Sequence, residues 1–115
     1  MFDDINKLLN ATCSPIKSQQ KAMNLAEIQS QRALTPLWQY CAEENELCRT
    51  FHFDDYKATI SFVNQLAAIA ERHNHHPDLT VNYNRCKVGY STHSINGISI
   101  NDFICVAHID QLTLD

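Results

Sequence analysis

Three histidines, His73, His75 and His76, fall within four positions of the chain, and Pro77 follows them directly. Imidazole is the side chain whose charge changes near neutral pH, so such a cluster can ligate a metal, move protons or decorate a solvated turn. A metal site asks for three ligands converging on one point. Here adjacent residues point apart, H-E-x-x-H is absent, and His52, His93 and His108 would have to fold back to contribute. Proton chemistry rests on placement. A long helical pattern ends at the cluster, where the negative end of the helix dipole favours a cation. Asn74 suits the left-handed cap that turns the chain out of a helix, and Pro77 restricts His76 to extended backbone. That turn would aim His75 and His76 in fixed directions, as positioned acids and bases require. A solvated helix cap explains the same residues, and from the cluster alone both readings stay open.

The elements that must hold these side chains follow from periodicity. Residues 1–23 are polar and irregular with a breaker at Pro15, a weak helix or a loosely held arm. Residues 24–34 predict a short helix with Leu25, Ile28 and Leu34 on one side, ended before Pro36. "PLWQYC" and "ELCRTFHF" flank the polar "AEEN", a hairpin pattern with Leu47, Phe51 and Phe53 on one face. Asp54 is the expected N-cap of a helix over about 55–73. One stripe of that helix carries Tyr56, Ile60, Val63, Ala67 and Ala70, and a second carries Phe62, Leu66 and Ile69. Together they cover about half the circumference, wider than the roughly 100° needed to pack on one sheet. A contact with another subunit, or a deep seat under the N-terminal helix, would account for the excess. In "DLTVNYNRCKVGY", Leu79, Val81 and Tyr83 alternate with polar residues, as do Cys86, Val88 and Tyr90. A two-residue loop at Asn84-Arg85 would pair Tyr83 with Cys86 and place Tyr83 in the core. His93 falls at the end of this strand, off the core face. Ser99 caps a last helix of about 100–112, with Asp102 at the capping-box position.

The order α-β-β-α-β-β-α predicts an α+β two-layer sandwich, a four-stranded antiparallel sheet with helices packed on one face. An arm, 1–23, would precede one domain, 24–115. The 115 residues carry a net charge of −4, a pI near 5.8 and no basic run, which argues against a direct nucleic-acid partner. No apolar stretch approaches the roughly 18 residues that span a bilayer, and "MFDDINKLLN" lacks the features of a secretory signal. Five cysteines, an odd number without C-x-x-C, fit a reducing, cytoplasmic setting and structural or incidental roles.

Longer-range spacing adds to this. From Glu71 the chain reads E-x3-H-H-P-x5-Y-x9-H-x8-D, through His75, His76, Pro77, Tyr83 and His93 to Asp102, seven positions over 32 residues. This pattern, with "FHFDDYKATISFVNQLAAIAERHNHHPDL", "YSTHSINGISINDF" and "AHID", closely resembles the pterin-4a-carbinolamine dehydratase family over about residues 36–112. The resemblance implies a hydro-lyase that removes water from 4a-hydroxytetrahydropterins and returns quinonoid dihydropterin to the tetrahydrobiopterin cycle of aromatic amino acid hydroxylation. It implies the same α+β fold, a homodimer or homotetramer, and no metal or organic cofactor. By position it implies His75 and His93 as the acid/base pair and His76 as a binding and orienting group. Pro77, Thr92, Ser94 and Ile95 would line the pterin pocket, and Glu71 and Asp102 would orient the imidazoles. The chain departs from many relatives at Ser94-Ile95-Asn96, where they carry smaller residues or glycine. A different class of function, a non-catalytic dimerisation or interaction module on the same fold, is the alternative the resemblance also carries.

Overall fold

The structure, a computed structural model, describes residues 1–112, so the last three positions of the expected 24–115 domain lie outside the described residues. Helices α1 (Ile5–Asn10) and α2 (Leu25–Arg32) are followed by strands β1 (Gln39–Cys41) and β2 (Glu46–His52). Helix α3 (Tyr56–His73), strands β3 (Asp78–Val81) and β4 (Arg85–Tyr90), a one-turn 3-10 helix (His93–Ile95) and helix α4 (Ile100–Asp110) complete the order. The strands make one antiparallel sheet in the order β1-β2-β4-β3.

Strand parity sets the two faces. Leu47, Phe51, Cys86, Val88 and Tyr90 point inward and are buried, whereas Thr50, His52 and Arg85 on the alternate positions are exposed. Helices α3 and α4 cover the inner face. Phe62, Leu66 and Ile69 of α3 and Phe103, Val106 and Ile109 of α4 join the same buried cluster. Trp38 is fully buried against Phe51, and its indole N–H donates to Asp110 Oδ1 at 2.8 Å. Arg49 reaches the same carboxylate at 2.6 Å. Burial still raises the Asp110 pKa, because the two partners offset only part of the desolvation.

Several expectations are corrected. The α3 cap is Asp55, one residue later than read, with its carboxylate accepting from the Ala58 N–H at 2.9 Å. On α2, Leu25 faces solvent at 60% exposure and Ile28 is buried. Of the two α3 stripes, Phe62–Leu66–Ile69 is the core face, while Tyr56 is 54% exposed. Tyr83 is not in the core. It is 65% exposed, because β3 pairs with β4 two residues out of the expected register, Val81 opposite Cys86 and Leu79 opposite Val88. Asn82 closes the loop on the Arg85 carbonyl, leaving Tyr83 and Asn84 at its tip. The Thr59 hydroxyl donates to the Tyr83 carbonyl and Tyr56 stacks on the Tyr83 ring, which holds that tip down. A slip of two keeps every side chain on its face, so the alternation was compatible with either register.

Nor is the N-terminal segment held loosely. Leu8 on α1 is fully buried, and Met23 N–H donates to the Ile98 carbonyl at 2.8 Å. Between them the Cys13 N–H donates to His73 Nδ1 at 3.3 Å. Among the described residues, the Nε2 of His73 is buried without a partner. Burial, followed by the charges of His108, Arg72 and His75, lowers the His73 pKa. A lowered histidine pKa means that the unfolded chain binds this proton more readily than the folded one. The resulting stability is whole above the ordinary histidine pKa and is lost as pH falls below it. Urea unfolding at about pH 7.5 and about pH 5.5 should show a lower midpoint in acid for the wild type. The pH difference should shrink in His73→Gln, whose amide oxygen can still accept from Cys13. An unchanged pH dependence in that variant would remove His73 from the account.

Candidate functional site

The C-terminus of α3 is built as the sequence suggested. Asn74 is left-handed (φ 48°, ψ 44°). Its N–H donates to the Glu71 carbonyl, and the His75 N–H donates to that of Ala70 at 3.1 Å. This is the paired bonding of a Schellman turn. The His75 carbonyl accepts from the Tyr90 hydroxyl at 3.0 Å. The His75 backbone is therefore pinned on both sides, and its ring stacks beside the Tyr90 ring at 5.3 Å.

The His75 imidazole meets Asp102 at 2.6 Å, Nε2 to Oδ1. Asp102 is fully buried. Its other oxygen accepts from the Thr92 hydroxyl at 2.8 Å and from the Ser99 N–H at 2.9 Å. With the Thr92 proton committed to Asp102, the Ser99 hydroxyl donates to Thr92 Oγ1 at 2.7 Å and accepts from the Asn101 N–H. An ionised carboxylate accepts only, so His75 donates through Nε2 and Nδ1 is left for a ligand. The same carboxylate closes the capping box at the start of α4. Helix capping and histidine orientation, rival readings in the sequence, are both present in one side chain.

His76 pairs through Nε2 with Glu71 Oε2 at 2.6 Å, but in the open: the two side chains are 54% and 76% exposed. His93 sits one turn past β4 on the 3-10 helix, not on the strand, and is exposed. That helix ends on Asn96 in left-handed geometry (φ 52°, ψ 49°), which asparagine tolerates better than most residues. The absence of glycine at this point therefore costs the turn little.

A cleft of about 440 Å³ brings His75, His76 and His93 together, with Asn74, Ser91, Thr92 and Ser94 on its walls. Pro77 and Ile95, expected in the pocket, are not among its lining residues. Residues no sequence signal marked do line it: Ser14, Pro15 and Ile16 of the arm, and Asn101 of α4. They carry no periodicity and no motif, and Pro15 read simply as a breaker. Larger surface concavities lie elsewhere, one along the outer face of α3 beside Tyr56 and Ile60 and one beside Cys41, Cys48, Arg49 and Lys87, but neither is lined by a histidine.

The model of the pterin 4 alpha carbinolamine dehydratase family matches residues 21–112. The chain belongs to that family. A relative from Stenotrophomonas maltophilia, provisionally named a pterin-4-alpha-carbinolamine dehydratase, is 44% identical over 110 residues, covering 96% of this chain and 95% of its own. A similarly named relative from Xylella fastidiosa is 41% identical over 111 residues, covering 96% of each chain. Among solved structures, a transcriptional coactivator/pterin dehydratase from Brucella melitensis superposes with a TM-score of 0.73 at 28% identity, over 78% of this chain and 96% of that one. A pterin dehydratase-like protein identified as a RuBisCO assembly factor in the alpha-carboxysome shares the fold alone, with a TM-score of 0.54 at 20% identity over 64% of this chain and 84% of that one. The family model begins at residue 21, yet the Stenotrophomonas match leaves at most about five residues of this chain uncovered, so it includes the arm segment that lines the cleft. For a pterin dehydratase family member the histidine cleft is the natural candidate for the substrate site.

Proposed function

We propose that the protein dehydrates 4a-hydroxytetrahydropterins to quinonoid dihydropterins within the cleft. The observation that carries this reading is the convergence of His75, His76 and His93 on one opening, with His75 fixed by a buried carboxylate. The reaction breaks the C4a–O bond, releases the oxygen as water and removes the N5 proton to form the C=N bond. It needs one group to protonate the departing hydroxyl and one to accept the N5 proton. Positioned imidazoles do both, contributing roughly 10²–10⁴-fold each. His75, through Nδ1, and His93 take these two roles, exchanging them between the stereoisomers of the substrate, while His76 with Glu71 binds and orients the ring. Thr92 and Ser94 contribute to the walls. The product is one that a reductase can return to tetrahydropterin, consistent with a role in pterin recycling in the cytoplasm. Five free cysteines suit such a setting. Among the described residues, no helix is long and apolar enough to cross a membrane.

The direct test is turnover of enzymatically generated carbinolamine by purified protein, compared with its decay in buffer. Acceleration supports the reading. Its absence would favour the second class of function, an interaction module, a reading to which the coactivator name of the Brucella neighbour lends weight.

Metal dependence and assembly can each be tested. Among the described residues no three His, Cys, Asp or Glu side chains gather as metal ligands, so dialysis against a chelator should leave turnover unchanged. Loss of activity with restoration by zinc would contradict proton transfer by side chains alone. Second, the outward α3 face, with Tyr56 exposed and Ile60 half-buried, is the surface expected to meet another subunit. Replacing Ile60 with Asp should shift the protein to monomer in sedimentation. Phe62 and Ile69 are unsuitable probes because they are core residues. A wild type that is monomeric at micromolar concentration would dismiss this interface.

A further inference from the structure

The lining of the histidine cleft is unevenly divided. Its histidines and, Ser14 apart, its Ser, Thr and Asn side chains come from the ends of α3, β4 and α4 and from the 3-10 turn. Its apolar side chains, among the described residues, are Pro15 and Ile16, both from the arm. A flat heteroaromatic ligand needs an apolar surface to lie against as well as polar groups to orient it. We propose that Pro15 and Ile16 form the ligand-binding apolar wall of the cleft, and that Asn101, through Ser14, is the positioning residue that holds this wall in place. The proposal rests on the pterin reading above and assigns a role outside the motif that led to it.

The attachment is specific. Asn101 is buried at 7% exposure. Its Oδ1 accepts from the Ser14 N–H at 3.1 Å and its Nδ2 donates to the Ser14 carbonyl at 2.8 Å, so one amide satisfies both backbone groups of one arm residue. The Cys13 thiol donates to the Asn101 carbonyl at 3.4 Å, and the Cys13 N–H to His73. The Asn101 N–H in turn donates to Ser99 Oγ, inside the network that ends on Asp102 and His75. The wall and the oriented imidazole are thus referenced to the same first turn of α4. The arm should act on binding and His75 and His93 on the chemical step, a division that kinetics can separate.

The test uses the full chain with two variants, Ile16→Ser and Asn101→Ala, and two ligands. Oxidised biopterin, which is fluorescent and cannot be dehydrated, reports affinity, and the carbinolamine reports kcat and KM. Trypsin cleavage after the exposed Lys17 reports whether the arm is attached. Ile16→Ser should weaken biopterin binding and raise KM by roughly tenfold, with kcat within about threefold of wild type. Asn101→Ala should do the same and also speed cleavage after Lys17, and adding Ile16→Ser to it should bring little further loss. Wild-type affinity in Ile16→Ser, or in an Asn101→Ala protein whose arm is demonstrably released, would overturn the proposal. If Asn101→Ala does not fold, Ile16→Ser, a half-buried surface change, decides alone. A wild type that neither binds biopterin nor turns over carbinolamine would overturn the functional reading and this inference together. An active wild type with unaltered variants would overturn this inference only.

Discussion

A protein carrying both His75→Ala and His93→Ala is expected to dehydrate carbinolamine scarcely faster than it decays in buffer, while still folding. Each single variant should lose roughly 10²–10⁴-fold in turnover. The pair should lose far more than either alone, because a remaining histidine can still serve one stereoisomer. The folding cost is unequal. His93 is exposed, so its removal should cost under about 0.5 kcal/mol. His75 leaves Asp102 Oδ1 short of a buried partner, a cost of about 1–3 kcal/mol. Circular dichroism and urea unfolding of each variant separate lost chemistry from lost structure. Near-wild-type turnover in the folded double variant would remove both histidines from the chemistry and leave the cleft as a binding site at most.

Asp102→Ala should give a large loss of stability from a single polar substitution. The carboxylate is buried and accepts from His75, Thr92 and Ser99. Losing the capping box costs about 1 kcal/mol, and orphaning buried donors adds about 1–3 kcal/mol, together about 2–4 kcal/mol. Turnover measured well below the new melting point should also fall, by roughly 10²-fold, as His75 loses the partner that fixes its ring and tautomer. Glu71→Ala is the informative companion. Its contact with His76 lies in solvent, where even a fully charged pair contributes only about 0–1 kcal/mol, so Glu71→Ala should affect binding and leave the unfolding midpoint almost unmoved. An Asp102→Ala protein with the wild-type midpoint would mean that the hydrogen-bond network does not stabilise the fold.

The sequence carried much of this site because its chemistry sits at element ends, where signals are local. The left-handed Asn74, the Ser99 cap and the E-x3-H-H-P spacing each depend on a few neighbouring residues. The expected four-stranded sheet with helices on one face is the observed architecture, because alternation and helical periodicity report faces directly. Periodicity could not distinguish a slip of two residues at Tyr83, where the Thr59 hydroxyl and the Tyr56 ring meet the loop from across the fold. Nor could it choose which α3 stripe meets the sheet, since both are apolar. The arm was illegible for a different reason. Its order comes from hydrogen bonds to Asn101 and His73, 87 and 60 residues away, and nothing within the segment itself announces them.

The double employment of Asp102 bears on how such proteins would drift. If a descendant gave up catalysis and kept only an interaction role, selection for a folded domain would still retain Asp102, because α4 needs its cap. Glu71 would enjoy no such protection, its side chain being exposed and bonded to His76. Decay of the site should therefore begin at the Glu71–His76 pair and at His93, with Asp102 surviving as a fossil. On the proposed reading, an intact aspartate at this position in a relative of doubtful activity reports the helix cap, and an intact Glu71–His76 pair is the better sign of a working pterin site.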